Sequence, residues 1–439
     1  RRGGKGKSAG KAVAMLLGSS AEILALTAAL DKGTHRKNVE IESYASGGDK
    51  GPQLVDEFKF NDVLVNSLDT TNASTNALTF DFASFTHGHV EQDSKGATQS
   101  SSTGWDFATN TAVSGVTPVP DEAKQIPADS VAPNADLHYF VKIEGGDWLD
   151  LDSFSMGLQN TGSIGSGGGG GGSGKASADN VVLNLGSGAT ILELTHDLAS
   201  GAHLKSIEIE AYASGGSKGL QLVDEFKYDD VLLTKLDTAG TANQVSFDFA
   251  SFTHGHVEQD AKGGTQSDVT GWDFNTNTAL TGSNPLPDAA KAVTESQVSA
   301  GADLDYYVHF DGADGWLRLD SFSMGLSNSG SISSGSGGGT GKSVAQDVHL
   351  LLGSSAEILA LTDALDKGTH LKNVDIESYA SGGDKGPQLV YEFNFNDVLV
   401  NTLDTTNAPP NALTSDFANF HHLPLHHTPQ PPTPTDTTI

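Results

Sequence analysis

The chain has 439 residues, of which 36% are hydrophobic, 18% are charged and 52 are glycine. This length allows two to four domains, and the composition is typical of β-rich domains with many turns. A formal net charge of −30 argues against binding to nucleic acid or to anionic membrane surfaces. Because the chain has no cysteine, disulfides and cysteine-based zinc sites are excluded.

No apolar run reaches the ~18 residues that a membrane-spanning helix needs, so we expect no membrane insertion. The acidic, cysteine-free composition, rich in Thr, Ser, Asn and Gly, is common among exported bacterial proteins, and we expect an extracellular or secreted location. The chain begins at Arg1 without an initiator Met and shows no signal peptide, which indicates a processed N-terminus or a fragment.

Internal repetition is the strongest pattern in the sequence. SYASGGDKGPQLVDEF begins at Ser43, and close copies of it begin at Glu210 and Glu377. FASFTHGHVEQD occurs twice, from Phe82 and from Phe249. The period of about 167 residues is longer than a solenoid repeat and indicates duplication of a whole domain.

The repeats predict a division of the chain in which only the second copy runs from end to end. Two segments rich in Pro, Ala and polar residues lack apolar alternation and are interpreted as linkers. The predicted division is a first repeat without its opening strands (1–115), a linker (116–134), a complete second repeat (135–282), a linker (283–301), a truncated third repeat (302–420) and a tail (421–439). The tail is rich in Pro, Thr and His and is interpreted either as disordered or as a sequence artefact.

Strands dominate the second repeat. Residues 137–143 and 148–156 alternate apolar and polar side chains, and the EGGD between them predicts a turn. Further strands are predicted over residues 180–185, 203–213, 220–228, 230–236, 245–257 and 271–274. Eight or nine strands with closely spaced turns indicate an antiparallel barrel or sandwich.

One short helix interrupts these strands. Ile191, Leu194 and Leu198 share one face of the segment ILELTHDLAS, and Gly201 stands where a helix-ending glycine belongs. Ahead of this helix lies a glycine run at residues 162–174, which has a counterpart at 329–341. Each run is either a flexible linker or a long loop inside the domain, and both runs lie at the same place in the repeat.

The segment WLDLDSFSMGLQNTGSIGSGGGGGGSGK, the single helix and the later LVDEFKYDDVLL and FDFASFTHGHVEQD resemble one known family. They are similar to the tube protein of type VI secretion systems, the haemolysin-coregulated protein (Hcp) family. The order of elements also resembles that family: two opening strands, a long glycine-rich loop, a strand, the helix and the remaining strands. The resemblance covers nearly all of each repeat.

The resemblance implies an all-β-dominated fold of tandem antiparallel β-barrels, each with one short α-helix, as in Hcp and phage tail-tube proteins. Family members form rings that stack into a hollow tube, so the implied partners are copies of the chain itself. The glycine loop is then expected to lie inside the domain and to reach toward a neighbouring subunit or ring.

Several residues are candidates for a metal or calcium site. His254 and His256 lie at i, i+2 on one face of a predicted strand and, with Glu258, are weak candidates for a metal. Asp224 and Glu225 could bind Ca²⁺, although they lack the EF-hand spacing. No arrangement typical of catalysis is repeated, so we expect no enzyme activity, no catalytic residue and no cofactor.

The candidate assembly residues lie on the opening strands and at the end of the glycine runs: Trp148, Phe154, Met156, Trp316, Phe322, Met324, Lys175 and Lys342. The leading hypothesis is a structural subunit that assembles into a tube or extracellular filament, with strands or loops exchanged between neighbours. The alternatives are a secreted binding or cargo-carrier module and, less favoured, a glycan-acting enzyme. The sequence leaves open whether residues 137–156 complete the first or the second repeat.

Overall fold

A computed structural model describes most of the chain. The described residues are 12–45, 53–92, 98–107, 109, 111–113, 135–161, 174–214, 219–239, 242–259, 265–282, 284–285, 291, 293, 299, 302, 304–313, 315–330, 341–353, 357–380, 387–405 and 410–423. The predicted linker 116–134, most of the glycine runs and residues 424–439 of the tail lie outside this set.

Three consecutive units share one order of elements. The first unit contains β1 (Val13–Leu17), α1 (Ala21–Lys32), β2 (Arg36–Ala45), β3 (Gln53–Thr71), β4 (Thr75–Gln92), β5 (Thr98–Asp106) and β6 (Thr111–Ala112). The second unit contains β7 (His138–Ile143), β8 (Trp148–Leu151), β9 (Ser153–Asn160), β10 (Ala176–Ala178), β11 (Val181–Leu185), α2 (Ala189–Ser200), β12 (His203–Ser214), β13 (Leu220–Ala239), β14 (Ala242–Gln259), β15 (Thr265–Asp273) and β16 (Thr278–Ala279). The third unit contains β17 (Leu304–Phe310), β18 (Leu317–Asn328), β19 (Ser343–Ala345), β20 (Val348–Leu352), α3 (Glu357–Lys367), β21 (Leu371–Ala380), β22 (Gln388–Asp404) and β23 (Asn411–Leu423).

The second and third units are closed six-stranded antiparallel barrels. In the second unit the ladder runs β7–β12–β13–β14–β11–β9, and β8, which continues into β9, pairs back with β7. In the third unit the ladder runs β17–β21–β22–β23–β20–β18 and closes on β17. The predicted fold of tandem barrels with one short helix each is therefore confirmed. Closure pairs the strand edges that would otherwise be exposed.

The first unit is an open sheet. Its barrel strands pair in the order β2–β3–β4–β1, and within the described part of the chain β1 and β2 each have one partner strand. The inward-facing residues show the consequence, because Val39 and Ile41 are only partly buried. Their counterparts in the second unit, Ile207 and Ile209, are both 0% exposed. Within the described residues, no strand closes the first unit between β1 and β2, and the predicted division of the chain into repeats stays a prediction.

Local sequence explains how the elements begin and end. Gly33 and Gly201 adopt the left-handed conformation after α1 and α2, with φ of 58° and 68°, and their N–H groups bond to carbonyls of the last turn. Glycine is suited to this position because it has no Cβ. The predicted strands 220–228 and 230–236 form the single strand β13, with Asp230 at φ 53° rather than a turn.

Among the described residues, no helix is long and apolar enough to span a membrane.

Candidate assembly site

The first and second units are joined by a strand that belongs to both. Residues 153–155 of β9 pair with β11 of the second unit. Residues 155–159 of the same strand pair antiparallel with residues 67–71 at the end of β3 in the first unit. The opening strands therefore serve both neighbours, because β7 and β8 close the second barrel while β9 extends the sheet of the first unit. We call this contact the first joint.

The second joint, between the second and third units, repeats this arrangement. Residues 319–323 of β18 pair with β20 in the third unit, while residues 323–327 pair with residues 235–239 of β13 in the second unit. A continuous antiparallel sheet thus runs through all three units. The inter-unit contact is main-chain strand addition, in which backbone hydrogen bonds hold one unit to the next.

Each joint strand carries a glycine where it packs closely against the preceding unit. A Cβ at Gly157 would lie 2.9 Å from the Asp69 carboxylate of the first unit and 2.8 Å from Asp179. A Cβ at Gly325 would lie 2.7 Å from the Asp237 carboxylate of the second unit. At both positions a Cβ would displace side chains of the strand's own unit, Asp179 or Gln346, as well as the aspartate of the preceding unit, so the glycine of the repeated SFSMG motif makes room for this packing.

Each joint strand also supplies a hydrogen bond to the preceding unit's helix. The Asn160 side chain donates to the Leu30 carbonyl at the end of α1 over 2.7 Å, and Asn328 donates to the Leu198 carbonyl at the end of α2 over 3.2 Å. These carbonyls belong to the last helical turn, and each also accepts the N–H of the helix-ending glycine, Gly33 or Gly201, over 3.0 Å and 3.3 Å. The side chains extend the strand contact into the buried end of each helix.

A buried polar cluster completes the first joint. Asp224 and His256 of the second unit are 0% and 1% exposed, and His254 beside them is 4% exposed. Asp224 Oδ1 lies 3.0 Å from His254 Nε2 and 2.8 Å from His256 Nδ1. Ser19, which lies just before α1 in the first unit, donates its hydroxyl to Asp224 Oδ2 over 2.7 Å. The cluster therefore links two units across a sequence separation of 205 residues.

Electrostatics hold this carboxylate in its charged form. Burial raises the pKa of Asp224, but the charge of His256 and hydrogen bonds from both histidines oppose it, and the net pKa lies well below the usual range. An ionised, fully buried carboxylate needs several hydrogen-bond donors, and Ser19 supplies one of them from the neighbouring unit.

The first unit carries the same three side chains at its surface. His87 Nε2 and His89 Nδ1 lie 2.9 Å and 2.8 Å from Asp56 Oδ1. The side chains of Asp56, His87 and His89 are 29%, 32% and 38% exposed, respectively. Hydrogen bonds from the two histidines lower the pKa of Asp56. The aspartate–histidine cluster that accepts the Ser19 hydroxyl in the first joint is thus present a second time, with its side chains partly exposed.

The third unit has lost the carboxylate of this cluster. Tyr391 stands in place of Asp224 and is 4% exposed. His422, the counterpart of His254, stacks on Phe393 with ring centroids 4.0 Å apart. Burial lowers the pKa of His422 to about 3, so the ring is neutral near pH 7. The two joints are therefore alike in their strands and different in their polar cluster.

The predicted assembly residues of the opening strands lie in or beside the joints. Phe154 and Met156 belong to β9, where the Phe154 N–H donates to the Asn72 side chain of the first unit over 2.9 Å and Met156 lies opposite Thr70. Phe322 and Met324 belong to β18 and are 2% and 6% exposed, and Met324 lies opposite Thr238 of the second unit. Their side chains pack in the barrel interior, while their backbones lie at or next to the junction.

The other assembly candidates lie elsewhere. Trp148 is half-buried on the second unit, where the Lys291 ammonium lies 4.9 Å from its ring centroid. Trp316 lies beside His309 in the third unit, with ring centroids 5.5 Å apart. Lys175 and Lys342 are exposed at the base of the two glycine runs. Their part in assembly stays a prediction.

The metal candidates His254 and His256 face the same carboxylate, as their i, i+2 spacing predicts, while the Glu258 side chain lies outside the described residues. In the described parts of the chain, three carboxylates come close together twice: Glu40, Glu42, Glu57 and Glu208, Glu210, Glu225. Lysines contact both groups, since Lys59 lies 2.7 Å from Glu57 and Lys227 lies 2.9 Å from Glu225. The Glu42 carboxylate accepts a hydrogen bond from the Tyr44 hydroxyl over 2.6 Å.

The sequence analysis missed Ser19, Asn160 and the role of Asp224 as the centre of a joint. One signal was available, because the segment LLGSSAEILALT occurs without change at residues 16–27 and 351–362. This identity belongs to a longer near-identity between the first and third repeats, so it shows that Ser19 has a counterpart at Ser354 but does not by itself mark a contact.

Comparison with known proteins agrees with this architecture. The family model described as "Type VI secretion system effector, Hcp" matches residues 142–256 and 308–422, together slightly more than half of the chain. The chain belongs to this family. No curated protein sequence matches the chain.

Solved structures similar to the chain are Hcp proteins and a related assembly, each spanning about one unit. A structure described as a type six secretion system protein is 19% identical, with 33% of this chain and 100% of that chain covered and a TM-score of 0.30. Hcp1 from Salmonella typhimurium is 18% identical, with 33% and 99% covered and a TM-score of 0.26. The 6-fold symmetrised baseplate of the anti-feeding prophage is 14% identical, with 30% and 98% covered and a TM-score of 0.22.

Proposed function

We propose that the chain is a structural subunit of a type VI secretion-like tube or an extracellular filament, and that its units add to one another head to tail. The observation that carries this proposal is the outer edge of β22. The equivalent edges of β3 and β13 each pair with the opening strand of the next unit. Thr402 and Leu403 pair with β23 on one side of β22, and on the other side no strand pairs with them within the described part of the chain.

Burial at this edge supports the same proposal. Leu68 and Leu236 are 1% and 4% exposed beneath the joint strands. Leu403, their counterpart, is only partly buried. A further unit that added its opening strand to β22 would cover Leu403 and pair the backbone at an otherwise open edge.

The joint is of the heterologous kind, in which one surface of a unit contacts a different surface of the next. Repetition of such a contact produces a ring when the rotation closes and a helical filament when it does not. Both outcomes are elongated or annular homopolymers, consistent with the tube that the family resemblance implies. Secretion from a bacterial cell belongs to this same proposal.

The open first unit is the other half of such a contact. The sequence contains the opening segment twice, ahead of the second and third units. A copy of residues 135–175 placed ahead of the first unit would provide strands equivalent to β7 and β9. The first of these would close the open barrel, and the second would pair with the β22 edge of another copy.

The test compares the chain with a version extended at its N-terminus by a copy of residues 135–175. Sedimentation velocity and negative-stain microscopy at tens of micromolar are expected to show rings or fibres, with the extended chain assembling more strongly. The matched control carries Asp in place of Phe154 and Met156 in the added copy only, and should assemble no better than the unextended chain. Single-chain species for both the chain and its extension would overturn the proposal and favour the cargo-carrier alternative.

A further inference from the structure

We propose that Asp56, His87 and His89 form a docking site for a serine in the third unit of a second copy of this chain, namely Ser354. This inference rests on the proposed head-to-tail assembly and adds the side chains that would select which unit follows which. Ser354 itself lies outside the described residues, and its place is taken from the sequence.

The chain already contains one occupied example of this contact. Ser19, directly after β1, reaches the second unit and donates to Asp224, and its oxygen lies 3.3 Å from His256 Nδ1. The helix that follows, α1, packs against β14, β15 and β16 of that unit. The hydroxyl, the carboxylate and the nearby imidazole are all almost completely removed from solvent.

The cluster of Asp56, His87 and His89 in the first unit is already arranged for the same contact. The histidine-to-carboxylate distances around Asp56 and Asp224 agree within 0.1 Å. His87 stacks on Phe58 with ring centroids 4.1 Å apart, and His254 stacks on Phe226 at the same distance. Exposure is what differs, because within the part of the chain that the structure describes no neighbouring unit covers Asp56. Since the geometry is preformed, docking would need little rearrangement.

The occupant is identified by sequence. Residues 351–362 repeat residues 16–27 without a change, so Ser354 follows β20 as Ser19 follows β1. The second unit's counterpart, Ser187, is buried and receives a hydrogen bond from Asn243 of its own unit over 3.2 Å. The unit that follows it has Tyr391 where the carboxylate would stand. The serine–carboxylate pair is therefore available for the first joint and for a third-to-first joint, and absent from the second joint.

This pattern sets the order of units in an assembly. A third unit that met the second unit of another copy would find its Asp224 already occupied by Ser19. A third unit that met a first unit would find Asp56 ionised and flanked by two imidazoles. A hydroxyl bonded to a carboxylate in a dry interface is a strong, directional contact. The cluster thus favours an assembly in which the third unit of one copy is followed by the first unit of the next copy.

Cross-linking tests this contact directly, because the chain has no native cysteine. The variant that combines Ser354→Cys with Asp56→Cys should form covalent dimers and longer ladders with a short thiol-specific cross-linker. The matched control combines Ser187→Cys with Asp56→Cys and should stay at the mass of one chain. Absence of ladders in the first variant, under conditions where the parent chain assembles, would overturn the inference.

A second measurement avoids any new covalent bond. Asp56→Asn should weaken self-association roughly tenfold or more, because a charged hydrogen bond is replaced by a neutral one at a buried contact. Asp62→Asn is the control, since Asp62 forms an exposed pair with His35 over 2.7 Å and its own side chain is 55% exposed. Equal association of the two variants would overturn the inference.

The two proposals fail in different ways. The parent and extended chains could assemble while cross-linking gives no ladders and Asp56→Asn associates as Asp62→Asn does. In that case head-to-tail addition stands and the Asp56 contact is wrong. If neither chain assembles and no ladder forms, both proposals are wrong.

Discussion

The first and second units are built from nearly the same residues, but only the second is a closed barrel. Phe58 is partly buried while its counterpart Phe226 is 0% exposed, and Tyr44 is partly buried while Tyr212 is 0% exposed. The difference comes from what surrounds these side chains. Two opening strands and a neighbouring unit cover the second unit, so the same sequence becomes either core or surface according to its partners.

The largest expected effect separates the two carboxylate clusters. Asp224→Ala leaves two buried histidines without their acceptor and should cost about 3–5 kcal/mol in the free energy of unfolding. Asp56→Ala, in the exposed copy, should cost less than about 1 kcal/mol. Urea unfolding of both variants measures the contrast, and equal losses would show that burial does not distinguish the two clusters.

Barrel closure should make the same core substitution cost more unfolding free energy in the second unit than in the first. Ile209→Ala removes a side chain that is 0% exposed and should cost about 3 kcal/mol. Ile41→Ala removes its half-buried counterpart in the open unit and should cost about 1 kcal/mol. The same urea measurements on the chain extended by residues 135–175 should bring the two values together, and a persistent gap would contradict closure of the first unit.

Asp31 provides a pH test of the first joint. It lies in the last turn of α1, is 3% exposed, and burial raises its pKa to about 7 while Lys32 opposes the shift. Because the folded state binds the proton more tightly than the unfolded state, stability is lost as pH rises from about 4 through 7. Asp31→Asn should remove this loss and stabilise the chain by roughly 2 kcal/mol at pH 8, with little change at pH 4.

The control for this test is Asp366, the counterpart of Asp31 in the third unit, which is exposed. Asp366→Asn should change stability little at either pH in the unassembled chain. Thermal unfolding at pH 4 and pH 8 reads out both variants, and a stabilisation of Asp31→Asn that did not depend on pH would contradict the assignment.

The smallest expected effect concerns the helix end at the first joint. Asn160→Ala removes one of the two donors to the buried Leu30 carbonyl, which keeps the Gly33 N–H, and should cost about 1 kcal/mol in unfolding free energy. Gln159→Ala changes the adjacent exposed residue of β9 and should be neutral within about 0.5 kcal/mol. Equal effects of the two substitutions would show that the helix end draws no stability from the joint strand.

Much of the fold could be predicted from residues of the second unit. Alternation in residues 203–213 marked β12, and the spacing of Ile191, Leu194 and Leu198 with Gly201 marked α2, because burial on one face imposes a period on the sequence. The sequence predicts two strands, 220–228 and 230–236, but the single strand β13 runs through both, with Asp230 at positive φ. Local sequence does not distinguish an irregularity inside a strand from a turn between strands.

The joints show where prediction from sequence ends. The aromatic and methionine residues of the opening strands are predicted as assembly residues; their strands lie at or beside the joints, and their part in assembly stays a prediction. The polar contacts were not identified, because Ser19 and Asp224 are 205 residues apart and neither has a local pattern. The i, i+2 histidines suggested a metal ligand pair, and in the structure both face a carboxylate.

By itself, the sequence determined the repeating unit, an antiparallel β-barrel with one short helix that occurs in tandem. It could do so because strand alternation, helix periodicity and repetition are properties of neighbouring residues. Only the tertiary structure decided that β9 pairs with two units and that Asp224 is buried while Asp56 is exposed. Both depend on which surfaces meet, and a contact between units is recorded in no single stretch of chain.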